Sequence, residues 1–182
     1  MRGVAMVGLL GVSAGVLAGA GVLAGKATET AARKAAVMET VDALYAVISG
    51  EVGEARDWDR MRSLFFDDAI MTVVPPVSSD RVEPMRLTPE TYIERSGPVL
   101  TERGFFETGI AERVEVYGSI AHVWTTYEGR FGGENGEIAL RGINTIQLGL
   151  DRSVEPARWR VISIAWCQET PAEPIPDRYL PK

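Results

Sequence analysis

Proton-transfer chemistry in this chain falls to few residues. Its 182 residues include one histidine, His122, whose imidazole titrates near neutrality without special help. Glu107 is the second candidate, because a carboxyl buried without a partner becomes a general base with a raised pKa. Tyr127 is the third. Acid–base groups alone suffice for isomerisation, dehydration or cyclisation, so this chemistry calls for no cofactor. Tyr92, Thr125, Arg141 and Asn144 are the candidates for ligand contact. Arg141 and Asn144 flank Gly142 in a strand-like run, and alternation lets at most one of them face a pocket. A glycine within a strand marks a bulge or a close approach of backbone.

Each candidate has a competing structural role. Strand alternation puts His122 with Ile120, Trp124 and Thr126, opposite Ala121, Val123, Thr125 and Tyr127. Glu107 and Glu169 could instead pair with Arg141 or Arg160 across a sheet. Asp57, Asp59 and Arg60 suit a helix cap with a local ion pair better than a charged site. Trp124, Trp159 and Trp166 suit a core or an interface better than a ligand box, and Cys167 reads as a buried thiol. Single Cys and His residues exclude an intrachain disulfide and any zinc site built from several such ligands.

Charge excludes other classes. Lys and Arg number 19 against 25 Asp and Glu. Residues 1–25 hold one Arg and no acid, which leaves 18 basic against 25 acidic residues, or −7, for the remainder. Such a domain is a poor partner for nucleic acid or anionic lipid.

Gly3 to Gly25 carries no charge and follows Met1-Arg2. That pattern fits a secretory leader cleaved after Ala20 or Ala24, and hence a periplasmic or secreted product. An uncleaved membrane anchor over residues 3–25 is the alternative, with Gly11, Gly15 and Gly19 at a spacing that lets membrane helices approach closely. Gly11-Val12-Ser13-Ala14-Gly15 matches a serine-hydrolase motif, but that motif has meaning only between a strand and a helix.

Residues 26–36 form a polar lead-in, and Thr28 to Ser49 reads as a helix with Val37, Val41, Leu44 and Ile48 on one face and Tyr45 beside them. Gly50 is placed to end it in the left-handed region. A short helix starts at Asp57 and stops at Asp67-Asp68, before a strand from Ala69 to Val74. After a loop, Thr88-Pro89 opens a helix directing Tyr92 and Ile93 inward, interrupted at Gly97-Pro98. A meander follows: a strand near Ile110–Val116, a long strand to Arg130 entered through Gly118-Ser119, then Ile138–Leu150 and Trp159–Gln168. Residues 170–182, with four prolines, should run extended. Helices first and antiparallel strands later define the α+β class, with a curved antiparallel sheet wrapped around the helices.

Leu64-Phe65 with Asp67-Asp68-Ala69, Gly118-Ser119-Ile120-Ala121 at a hairpin and Trp159-Arg160-Val161 opening the last strand resemble, in this order, the nuclear transport factor 2-like superfamily, which includes ketosteroid isomerase and polyketide cyclases. The stretches at 48–65, 104–107, 121–128, 141–148 and 175–181 are most similar to exported bacterial members. The resemblance covers residues 37–169 and implies a conical α+β barrel with a pocket between sheet and helices, and a homodimer through the outer sheet face. It also implies that Ala121 packs inward, which sends His122 outward. The aspartate base of ketosteroid isomerase would fall at Val73 or Val74, so that chemistry is not carried over. Three readings follow: an exported protein binding a small apolar ligand, a cofactor-independent isomerase, dehydratase or cyclase, and a dimeric interaction module. Two convergent titratable groups in an apolar pocket would favour the enzyme.

Overall fold

The computed structural model describes residues 14–182, with side chains from residue 27 onward. Residues 1–13 of the expected leader lie outside the described residues, as do the side chains around both expected cleavage points. No helix among the described residues is long and apolar enough to cross a membrane.

Helix α1 runs from Ala14 to Ile48 without a break and takes in the polar lead-in. Val37, Val41, Leu44, Tyr45 and Ile48 recur at helical spacing and are buried. Residues 27–32 are exposed, and Arg33 ties the helix to the Gly118 carbonyl of a hairpin. Gly50 does not take the left-handed conformation expected of it. Its N–H and carbonyl instead exchange hydrogen bonds with Phe105, at 2.7 and 3.0 Å. The buried Arg56 guanidinium fills the space that a Cβ there would need, donating to the carbonyls of Ile48, Gly50 and Leu100.

Helix α2 (Trp58–Ser63) is capped by Asp57, whose carboxylate accepts from the Arg60 N–H at 2.9 Å. It ends earlier than expected. Strand β1 (Phe65–Val73) already includes Asp67 and Asp68, which sit exposed at an irregularity between Phe65 and Ile70. A short strand β2 (Met85–Leu87) pairs with it. Helix α3 (Pro89–Arg103) continues through Gly97-Pro98. Gly97 packs on Trp58, where a Cβ would stand 3.1 Å from the indole, and exposed Pro98 forgoes one backbone hydrogen bond.

Strands β3 (Phe105–Tyr117), β4 (Ile120–Phe131), β5 (Glu137–Asp151) and β6 (Arg158–Gln168) form the meander. Gly118 turns the first hairpin, and Gly132 and Gly133 the second, all at positive φ. The six strands make one open sheet in the order β2-β1-β6-β5-β4-β3. It is mixed rather than antiparallel throughout: β1 runs parallel to β6, because the last strand of the meander returns beside the first strand of the chain. Register shifts at Gly109, Gly129 and Gln147 supply the bulges that bend a sheet. Val123, Ile146, Leu148 and Val161 from its inner face meet α1 in one core. Each such burial contributes roughly 1.5–3 kcal/mol.

Candidate functional site

Where α1 and α3 meet the inner faces of β3 to β6, the core opens into a cavity of 330 Å³. That is the lower end of the size range of small-molecule sites. Its walls are mostly apolar and aromatic, with Met61, Phe105, Phe131, Leu140, Ile164 and Trp166 among them. Against these stand a few polar groups: Tyr45, Tyr92, Glu107, Tyr127 and Asn144 inside, with Arg95, Ser96 and Gln168 also in the lining.

Alternation along the strands explains how they converge. Phe105 is buried on the inner face of β3, so Glu107, two residues on, also points in. Tyr127 follows Ala121, Val123 and Thr125 on the inner face of β4, and Asn144 precedes Ile146 and Leu148 on that of β5. The backbone beneath Glu107 is pinned: its N–H donates to Ser49 Oγ at 3.0 Å, and that hydroxyl donates to the Tyr45 carbonyl at 2.8 Å. Tyr45 donates to Thr125 Oγ1 at 3.2 Å and accepts from Asn144 Nδ2 at 3.1 Å.

Glu107 makes no ion pair among the described residues; the pairings open to it in the sequence go elsewhere. Arg141 takes Glu169, Nε to Oε2 at 2.7 Å, and Arg160 takes Asp151 at 3.1 Å and Asp67 at 3.5 Å. Glu107 keeps some accessible surface because it faces the cavity, yet protein encloses it. That enclosure pushes its pKa up to about 8, with a hydrogen bond from Asn144 acting the other way. Burial also raises the phenols of Tyr45, Tyr92 and Tyr127, and the nearby Glu107 charge adds to each. All three therefore remain neutral donors at physiological pH. Among the described residues the Tyr92 and Tyr127 hydroxyls make no hydrogen bond to protein. Inside the rim, the site thus brings one titrating carboxyl, the Tyr92 and Tyr127 hydroxyls and the Asn144 amide together in an apolar enclosure.

Of the seven residues singled out in the sequence, Tyr92, Glu107, Tyr127 and Asn144 come together here. Thr125 lies behind Tyr45 and supports it. His122 does not reach the cavity: it is on the outer face, with Nε2 at 2.8 Å from Thr145 Oγ1. Arg141 also lies away from it, held by Glu169 and, at 4.0 Å, by Glu128. Two cavity residues differ from what the sequence suggests. Trp166 lines it, with Tyr92 edge-on at 6.3 Å, rather than only filling core. Tyr45 belonged to a helix face read as core, where a hydroxyl among aliphatic residues was the signal available.

An open, curled α+β sheet with a lined hollow under α1 and α3 is the architecture of the nuclear transport factor 2-like fold, and this chain has that fold. A candidate dehydratase of that family from Streptomyces avermitilis superposes with a TM-score of 0.57 at 14% identity, covering 78% of this chain and 99% of its own. A nuclear transport factor 2-like superfamily protein from Salmonella enterica gives 0.54 at 15% identity, over 78% and 94% of the two chains. A type 2 hexachlorocyclohexane dehydrochlorinase gives 0.56 at 14%, over 79% and 89%. These identities establish the shared fold. No protein-family model matches the chain, and no curated protein matches it in sequence.

Proposed function

We propose that the cavity is the active site of a cofactor-independent enzyme of the isomerase or dehydratase kind, moving a proton on a small, mostly apolar carbonyl or hydroxyl compound. The observation that carries this reading is Glu107: an enclosed carboxyl, in no ion pair among the described residues, facing a mostly apolar hollow at a pKa of about 8. Two of the structures similar in fold bear the names of elimination enzymes, a candidate dehydratase and a dehydrochlorinase.

In the step we envisage, ionised Glu107 removes a proton from the carbon next to a carbonyl. The C–H electron pair becomes the enolate π bond, and the carbonyl π pair moves to oxygen. Tyr127 and Tyr92 supply hydrogen bonds to the resulting oxyanion. Protonated Glu107 then returns the proton at the same or a conjugated carbon. The apolar walls strengthen these interactions by excluding water.

Solvent-deuterium exchange at the α-carbons of 2-tetralone, followed by NMR, tests this. The protein should accelerate exchange over buffer, with a rate that rises with pH and levels off above about 8. Glu107→Gln should reduce it at least about a hundredfold. Exchange no faster than in buffer, or a Glu107→Gln rate equal to wild type, sinks the enzymatic reading. Binding of the ketone without exchange would leave a protein that holds small apolar ligands and does not transform them.

A further inference from the structure

The rim of the cavity differs from its interior. Arg95, Ser96 and Val99 reach it from α3, and exposed Gln168 reaches it from the end of β6. Arg95 is the one cation among the described residues that line the cavity, and Glu107 the one acid. Arg95 makes no ion pair among the described residues. Its Nη1 donates only to Met85 Sδ at 3.4 Å, a weak acceptor that leaves most of the guanidinium donors open. The sequence of α3 supplies no carboxylate at the neighbouring helical positions: Thr91, Tyr92, Pro98 and Val99 stand three and four residues away on either side. The contrast with Arg62 is direct, since that side chain on α2 is claimed by both Asp59 and Glu90.

We propose that the ligand is an amphipathic organic anion. Its carboxylate, or another planar oxyanion group, is held at the rim by Arg95, its ring body lies against Trp166 and Phe105, and its polar far end meets Tyr127 and Asn144. The chemistry of the rim selects this class. A guanidinium donates two parallel hydrogen bonds to a carboxylate and is incompletely hydrated beside an apolar wall. A deep carboxyl without a counter-charge repels a second anionic group whenever it is ionised, so one negative charge at one end is the pattern that fits. A cavity of 330 Å³ suits one or two fused rings. This assignment rests on the active-site reading above for the identity of the hollow, but it concerns binding and not turnover.

Calorimetric titration with 2-naphthoate and its neutral isostere 2-naphthamide at pH 7 separates the two. We expect the carboxylate to bind about fivefold more tightly than the amide. Arg95→Gln, at an exposed position where folding is not at stake, should erase that preference by weakening the carboxylate more than the amide, whose carbonyl accepts only a neutral-acceptor hydrogen bond from the guanidinium. Equal affinities in the wild type, a preference that survives Arg95→Gln, or failure of both probes to bind would overturn the proposal. Tetralone exchange in the wild-type protein reports on Glu107, and the carboxylate preference reports on Arg95, so the two readings can fail separately. Exchange without a carboxylate preference would uphold the enzyme and remove the anion. The preference without exchange would do the reverse.

Discussion

At Glu107, the property that suits proton transfer also leaves a mark on stability. Its carboxyl has a folded-state pKa of about 8 against an ordinary value of 4.5, so the folded chain holds that proton more tightly than the unfolded chain does. The stability contributed is fully present below about 4.5 and is lost as pH rises toward 8. The loss amounts to roughly 1.4 kcal/mol for each pH unit across that window. Gln is an isostere of the protonated acid and cannot ionise. Glu107→Gln should therefore melt near the wild type at pH 4.5 and be more stable by about 2 kcal/mol or more at pH 8. Thermal melts of both proteins across this range decide it; parallel curves would show that Glu107 titrates as an ordinary carboxyl.

Strand β5 shapes the site through a residue, Gly142, that does not line the cavity. Gly142 lies opposite Tyr127 on β4, and a Cβ there would stand 2.5 Å from the Tyr127 hydroxyl and press on the Cys167 carbonyl. The absence of a side chain is what lets the tyrosine lie flat against β5 and present its hydroxyl to the cavity. Gly142→Ala should cost about 1–3 kcal/mol, as overpacking does, and should displace Tyr127. The measurements are a melting curve together with tetralone exchange, and an alanine variant unchanged in both would contradict the close approach. The sequence marks Gly142, amid Leu140, Arg141 and Ile143, as either a bulge or a close approach of backbone. It could not say which side chain the glycine accommodates, since that partner is fixed by the β4–β5 register. The same limit governs α3. Gly97-Pro98 looked like a break, and only packing on Trp58 supplies the reason for the helix to continue.

Over the whole molecule, periodicity made the meander and the buried face of α1 legible, because each depends on residues close in sequence. The parallel pairing of β1 with β6 was not legible, since it joins segments almost a hundred residues apart. Nor was the gathering of Tyr92, Glu107, Tyr127 and Asn144, which come from four different elements. The C-terminal segment is a further case. Its prolines promise an extended run, yet the chain folds back onto the sheet: the Ile175 N–H donates to Glu169 Oε1 at 2.8 Å and its side chain is buried. A single 3₁₀ turn, Asp177–Tyr179, then lays Tyr179 on Trp124 with ring centres 5.5 Å apart. Thr126 Oγ1 donates to the Tyr179 carbonyl at 2.6 Å, and Arg113 donates to the Arg178 carbonyl at 2.9 Å while lying over the Tyr179 ring. Those contacts shield Trp124 and Thr126, outer-face residues that the sheet alone would leave wet. A chain ending at Pro176 loses the stack and both hydrogen bonds, worth about 1–3 kcal/mol together. For a chain of this length that corresponds to roughly 3–10 °C in melting temperature. Tryptophan emission should shift to the red as Trp124 meets water, and the shift should vanish when truncation is combined with Trp124→Phe. An unchanged melting point and spectrum would mean that the tail rests on the sheet without stabilising it. A change in both would make these last six residues part of the folded domain.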